Sequence, residues 1–259
     1  MDERAKLLVL SDVIGTVFGT EDFSLFLYSL VRMQAPRTIV ELGTGLGASA
    51  FWMALAAKRN GVGHIWTVDD LELFSDYDVL LQQVAKHLKR FKFASIEALT
   101  PAQYFQEMAK QLGLIKYITF IHEKIALDEV SHFDHYPFFN EPIDLLFSDF
   151  RHGPEDILAI LGHFLPQMSP ASSIFIDSAP TAWPSYLLLE QLVGQLNRGQ
   201  IPRALQDRCA VDLQPLLRNS RIILMNLTEW KDRDQNGTAW LKIEPIDLLP
   251  QPRTQMRGL

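Results

Sequence analysis

Three stretches of this sequence gather residues whose types and spacing can do chemistry: Glu41–Ser49, Asp69–Asp70 and Asp149–His152. The first, ELGTGLGASA, spaces its glycines G-x-G-x-G, with a carboxylate, Glu41, two residues ahead. Gly43, Gly45 and Gly47 permit a tight turn and a close approach of backbone to a ligand. A helix beginning near Gly47 points unpaired amide groups at that ligand, and Ser49 in its first turn offers a hydroxyl to a carboxylate. Asp69 and Asp70 follow about 20 residues later, where an acid is placed to accept hydrogen bonds from two ribose hydroxyls. Dinucleotide folds instead use G-x-G-x-x-G to admit a pyrophosphate. In the tighter spacing seen here, Glu41 faces a phosphate unfavourably and suits a nucleoside ligand with a cationic amino group and a sulfonium. The third stretch, SDFRHGPEDI, sets Asp149 and His152 just ahead of a helix start. A neutral imidazole there can take a proton from a hydroxyl, since this side-chain type titrates close to neutral pH.

Positioning these residues requires strands that end where the motifs begin. Short apolar runs alternate with longer amphipathic segments. Strands are expected at 38–42, 64–69, 117–122, 143–149 and 172–177, with helices at 47–60, 79–92 and 101–112, after Pro154 and after Pro184. A helix or irregular stretch is expected up to about 136. Two last strands, 221–227 and 238–244, flank DRDQNG, whose Asn236-Gly237 pair suits a tight reversal between antiparallel neighbours. The alternation implies an α/β fold: a doubly wound, mostly parallel seven-stranded sheet with a C-terminal antiparallel strand. In such sheets ligands bind beyond the carboxyl ends of the strands, where all three stretches fall. A single domain is expected over 1–249, with a helical cap at 1–36 over the ligand-binding edge, a sheet core at 37–249 and a loose tail at 250–259.

Composition bounds the partners. The chain has 259 residues and a formal net charge of -7, from 24 basic and 31 acidic side chains. An acidic chain does not attract a phosphate backbone, so no nucleic-acid partner is expected. The basic run Lys86, Lys89, Arg90 and Lys92 lies opposite an apolar face of Leu80, Val84, Leu88 and Phe91, and reads as a solvated helix face. Cys209 is the single cysteine, which fits a reducing cytoplasm. The opening segment is charged at once, and no apolar run reaches the roughly 18 residues of a span, so no membrane association is expected.

With those residues in place, the sequence resembles the class I S-adenosylmethionine-dependent methyltransferases from about residue 38 to residue 244. VELGTGLGASA is similar to the family's first motif and TVD at 67–69 to its second. The resemblance implies that Glu41 and Ser49 serve the methionine end of the cofactor, that Gly43, Thr44 and Gly45 lie beneath it, and that Asp69, with Asp70, binds the ribose. It places Glu123, Lys124 and Ile125 near the adenine. The exit of the fourth strand resembles segments of small-molecule O-methyltransferases, including the catechol type. This makes Asp149 and His152 the candidate catalytic pair, Asp149 also bordering the cofactor, although Arg151 stands where the family has a second acid. Catechol-type relatives bind Mg²⁺ at strand-end acids. Asp149 and Asp177 are the counterparts here, but Ser178 replaces an asparagine and Arg151 is cationic, so a metal is not favoured. The expected function is methyl transfer to a hydroxyl of a small molecule. The alternatives are an NAD-type oxidoreductase and a non-catalytic scaffold that binds S-adenosylmethionine. Aromatic residues at 133–139, with Trp183 and Tyr186, could line an acceptor pocket or fill the core. His132, Asp134 and His135 read as a surface stretch. The N-terminal helices could cap the protein's own site or pair between subunits as a homodimer.

Overall fold

Two helices, α1 (Glu3–Phe18) and α2 (Glu21–Gln34), precede the first strand. Strand β1 (Thr38–Leu42) is buried at every position, including Glu41. It leads through the glycine turn into α3 (Ala48–Asn60), and β2 (His64–Asp69) follows. Next come α4 (Tyr77–Leu88), α5 (Pro101–Gln111) and β3 (Ile118–His122). One-turn 3-10 segments at His132–His135 and Pro137–Asn140 lead to β4 (Ile143–Ser148) and α6 (Pro154–Phe164). Strand β5 (Met168–Asp177), α7 (Trp183–Leu196), the short α8 (Arg203–Gln206) and α9 (Gln214–Asn219), and strands β6 (Ser220–Thr228) and β7 (Gly237–Pro245) complete the order. This computed structural model describes residues 2–18, 21–70, 77–89, 96, 99–129, 132–229 and 237–246.

The seven strands form a mixed sheet in the order β3-β2-β1-β4-β5-β7-β6. Strand β1 pairs in parallel with β2 and with β4, and β2 in parallel with β3. Strand β7 pairs antiparallel with both β5 and β6. The chain divides into two compact units: residues 1–126 with 134–150, and residues 127–133 with 151–259. The first holds β1 to β4 and α1 to α5. The second holds β5 to β7 and α6 to α9.

Within the first unit, α3 is buried from Ala50 through Ala57 on every side, as expected of a helix that is apolar all round. The sheet cannot cover all of that surface; α1 and α2 do the rest. Trp52 Nε1 donates to Ser11 Oγ at 2.7 Å, Tyr28 meets the Trp52 ring edge-on, and Asn60 Nδ2 donates to the Val31 carbonyl at 2.8 Å. Phe23 of α2 also packs against Phe147 of β4. The two helices are thus layered along α3. Asp144 ties the start of β1, accepting from the amides of Arg37 and Thr38.

Most expected elements are present, with shifts at their ends. Helix α5 begins at Pro101 under a capping box from Thr100 and Gln103, a local signal legible in sequence. Strand β5 begins four residues before the expected Ser172, because Pro170 and its exposed neighbours read as a loop. Helices α8 and α9, of 4 and 6 residues, are too short to leave a periodic signal. Val84 and Leu88 are buried while Lys86 and Lys89 are exposed, as a solvated face requires. Arg90, Phe91, Lys92, the reversal at 230–236 and the tail lie outside the described residues. Among the described residues, no helix is long and apolar enough to cross a membrane.

Candidate functional site

The first unit brings the carboxyl ends of β1, β2, β3 and β4 side by side, and the glycine turn crosses them. Gly43 has φ +87°, and a Cβ built there would lie 2.1 Å from the Asp149 carbonyl oxygen. Only glycine permits that approach of two backbones. The Gly43 amide donates to the Val68 carbonyl at 3.0 Å and the Asp149 amide to the Leu42 carbonyl at 2.8 Å. Glycine thus lets the turn sit flush on its two neighbouring strands. Gly47 closes the turn as the N-cap of α3, in a left-handed conformation. Its missing side chain leaves room for the stacked rings of Phe51 and Phe105. Tyr104 Oη holds the turn from α5, donating to the Leu46 carbonyl at 3.1 Å.

The side chains beneath the turn form one network. Ser49 Oγ donates to Glu41 Oε1 at 2.5 Å, and Thr67 Oγ1 bonds Glu41 Oε2. Thr67 Oγ1 also lies 2.5 Å from Thr44 Oγ1. Asp69 Oδ2 accepts from the amides of Thr44 and Gly45, at 2.8 and 2.9 Å. Glu41 is fully buried, and its carboxyl is pushed up to about 8. Desolvation is the largest cause, and the neighbouring Asp149 and Asp69 add to it.

The structure therefore gathers Glu41, Gly43, Thr44, Gly45, Ser49, Asp69 and Asp149. It also gives two of them duties that sequence spacing does not show. Ser49 spends its hydroxyl on Glu41, and Asp69 clamps the glycine turn by its backbone. Thr67 is the member that sequence reasoning missed. A β-branched residue inside a strand is ordinary, so nothing in β2 marks its hydroxyl. Asp70 follows at the strand exit, where its carbonyl lies 3.1 Å from His122 Nε2.

The adenine candidates lie beyond β3. The Glu123 amide donates to the Asp69 carbonyl at 3.2 Å, and its carboxylate pairs with His135 at 3.4 Å. Ile125 is buried, whereas Lys124 is exposed. Among the aromatic candidates, Phe133, Tyr136 and Phe138 are core residues, while Trp183 is 62% exposed. Burial and Glu123 both push the Tyr136 hydroxyl above its usual range. Asp134 and His135 are exposed, whereas His132, the first residue of that expected surface stretch, is half-buried.

The second unit holds His152, on the short segment before α6. Ser185, buried in the first turn of α7, donates to the His152 carbonyl at 2.6 Å. Asp177 ends β5 with both carboxylate oxygens engaged, by Ser178 Oγ at 2.8 Å and Thr238 Oγ1 at 2.7 Å. Among the described residues, no three His, Cys, Asp or Glu side chains cluster as a metal site.

A family model for the methyltransferase domain matches residues 40–179, more than half of the chain. The chain belongs to the methyltransferase-domain family. The match spans the glycine turn, the β2 acids and the β4 exit, so the network around Glu41 lies inside the family's defining segment. Two solved structures share the fold of this methyltransferase. The O-methyltransferase from Bacillus cereus in complex with SAH is 16% identical, with TM-score 0.50, covering 91% of this chain and 90% of that one. The cofactor-bound protein Rv0187 from MTB is 14% identical, with TM-score 0.52, covering 92% and 90%. No curated protein matches the sequence of this methyltransferase.

Proposed function

We propose that this methyltransferase takes its methyl group from S-adenosylmethionine and passes it to a hydroxyl of a small-molecule acceptor. One observation carries the cofactor reading. The buried carboxyl of Glu41 is grouped with Asp69 and Asp149 under a glycine turn, and among the described residues no cation is one of the groups acting on it. Such a set disfavours the pyrophosphate of a dinucleotide and suits a ligand with an ammonium and a sulfonium. The Bacillus cereus O-methyltransferase of the same fold is in complex with SAH, which supports both cofactor and acceptor atom.

When bound, S-adenosylmethionine supplies a methyl group already activated by its sulfonium. The chain's own residues bind, orient and move a proton. Glu41 and Ser49 face the amino-acid end. Asp69 fixes the turn and, with Asp70, borders the ribose. Glu123 and Lys124 border the adenine, and Asp149 closes the floor. His152 takes the proton of the acceptor hydroxyl as general base. Replacing His152 with Ala is expected to lower turnover about 100-fold while leaving cofactor affinity unchanged; unchanged turnover would remove it as base. A homodimer and a cytoplasmic setting belong to the same reading, the second resting on the single thiol of Cys209.

Thermal unfolding tests the cofactor. A ligand at 100 times its Kd stabilises the folded state by about 2.7 kcal/mol. S-adenosylmethionine and S-adenosylhomocysteine are expected to raise the melting temperature, and NAD to leave it unmoved. A shift with NAD and none with the adenosyl compounds would overturn the proposal.

A further inference from the structure

Among the described residues, Glu41 is buried without a cationic partner, and its hydrogen-bond partners are the hydroxyls of Ser49 and Thr67. A hydroxyl both donates and accepts. Between Thr67 and Thr44 either oxygen can be the donor. The chain Thr44–Thr67–Glu41 therefore serves two protonation states with the same heavy-atom positions. With Glu41 ionised, Thr44 donates to Thr67 and Thr67 to Oε2. With Glu41 protonated, its O–H donates to Thr67, and Thr67 to Thr44.

The charged groups that act on Glu41 are Asp69 at the end of β2 and Asp149 beyond β4; from α3 it meets only the Ser49 hydroxyl. Two carboxylates and full burial hold the proton on Glu41, with its midpoint at about 8. An ammonium group placed against it reverses the balance, because an opposite charge favours the ionised form.

We propose that Glu41 is a proton-exchanging recognition group, protonated in the free protein and ionised when a ligand's ammonium group enters. The O–H bond of Glu41 breaks, its electron pair stays on the carboxylate and the proton passes to the buffer. The ligand's ammonium keeps all its protons. The site thereby selects nucleosides that carry an amino-acid end over those that lack one. This rests on the reading of the site as an S-adenosylmethionine site.

Calorimetric titration of the full chain with S-adenosylhomocysteine, in buffers of different ionisation heat, tests it. At pH 7 about one proton is expected to leave per ligand bound, and affinity should rise about tenfold per pH unit from 5.5 to 7.5. Methylthioadenosine, which lacks the amino-acid end, should bind with no release. E41Q should show no release and a flat pH dependence. T67V removes a bond that favours the ionised form, so it should move the pH at which affinity levels off upward, and T67S should restore it. Binding of S-adenosylhomocysteine to the wild type without proton release, or equal release by methylthioadenosine, would overturn the inference and leave the cofactor reading intact. A folded protein that binds neither adenosyl compound would overturn both.

Discussion

Gly43 and Glu41 show how much a single position can carry. At Gly43, an alanine would hold a left-handed conformation and drive its methyl into the Asp149 carbonyl. G43A is expected to cost about 3 kcal/mol or more, read as a lowered denaturant midpoint, with loss of cofactor binding. At Glu41 the consequence is a pH dependence. Its folded value of about 8 lies above the ordinary 4.5, so the folded state holds the proton more tightly than the unfolded chain. The stabilisation is therefore complete below about pH 4.5 and is lost as pH rises through about 8. The ligand-free protein should melt at progressively lower temperature between pH 5 and pH 8, by roughly 1.4 kcal/mol of stability per pH unit from this group. E41Q should flatten that slope; an identical slope in the variant would mean that Glu41 is not its source.

Elements rather than residues explain how the turn of the site is held in place. The glycine turn has few side chains of its own, so its backbone is held by what surrounds it: Val68 and Asp69 of β2, Tyr104 of α5 and the backbone at the exit of β4. Asp69 makes two of these bonds through one oxygen. D69A strands two amides of the turn and is expected to lose about 1–3 kcal/mol of stability as well as cofactor affinity. Unchanged stability in D69A would separate Asp69 from the clamp assigned to it. The layer of α1 and α2 acts in the same way at one remove. By covering α3 it fixes the helix whose first turn carries Ser49.

Across the whole molecule, the residues proposed to hold the cofactor fall in the first unit, residues 1–126 with 134–150, while His152 and Ser185 belong to the second. Amide hydrogen exchange should register this division. S-adenosylhomocysteine is expected to slow exchange at 43–49 and at 69–70, and to leave β6 and β7 unchanged. Protection confined to the second unit would place the ligand elsewhere.

What the sequence determined by itself was periodic or local. Buried strands betray themselves by runs such as TIVEL, helix starts by Pro101 and Pro154, and the strand-to-helix turn by glycines whose spacing must match a backbone path. Those signals are enough to locate β1 to β4, the turn and the acids Glu41, Asp69 and Asp149 from sequence alone. Tertiary structure alone decided what these groups touch. Thr67 joins Glu41 because parallel pairing sets Glu41 opposite it, and Asp69 reaches the turn across a strand gap. Trp52 needs Ser11, 41 residues away. Hydrogen-bond partners that distant leave no periodic trace, since pairing in space depends on register and packing rather than on neighbours in the chain. The sequence could therefore name the carboxylates of the site, while the fold decided that Glu41 lies among hydroxyls and acids, where its proton is held until a cation arrives.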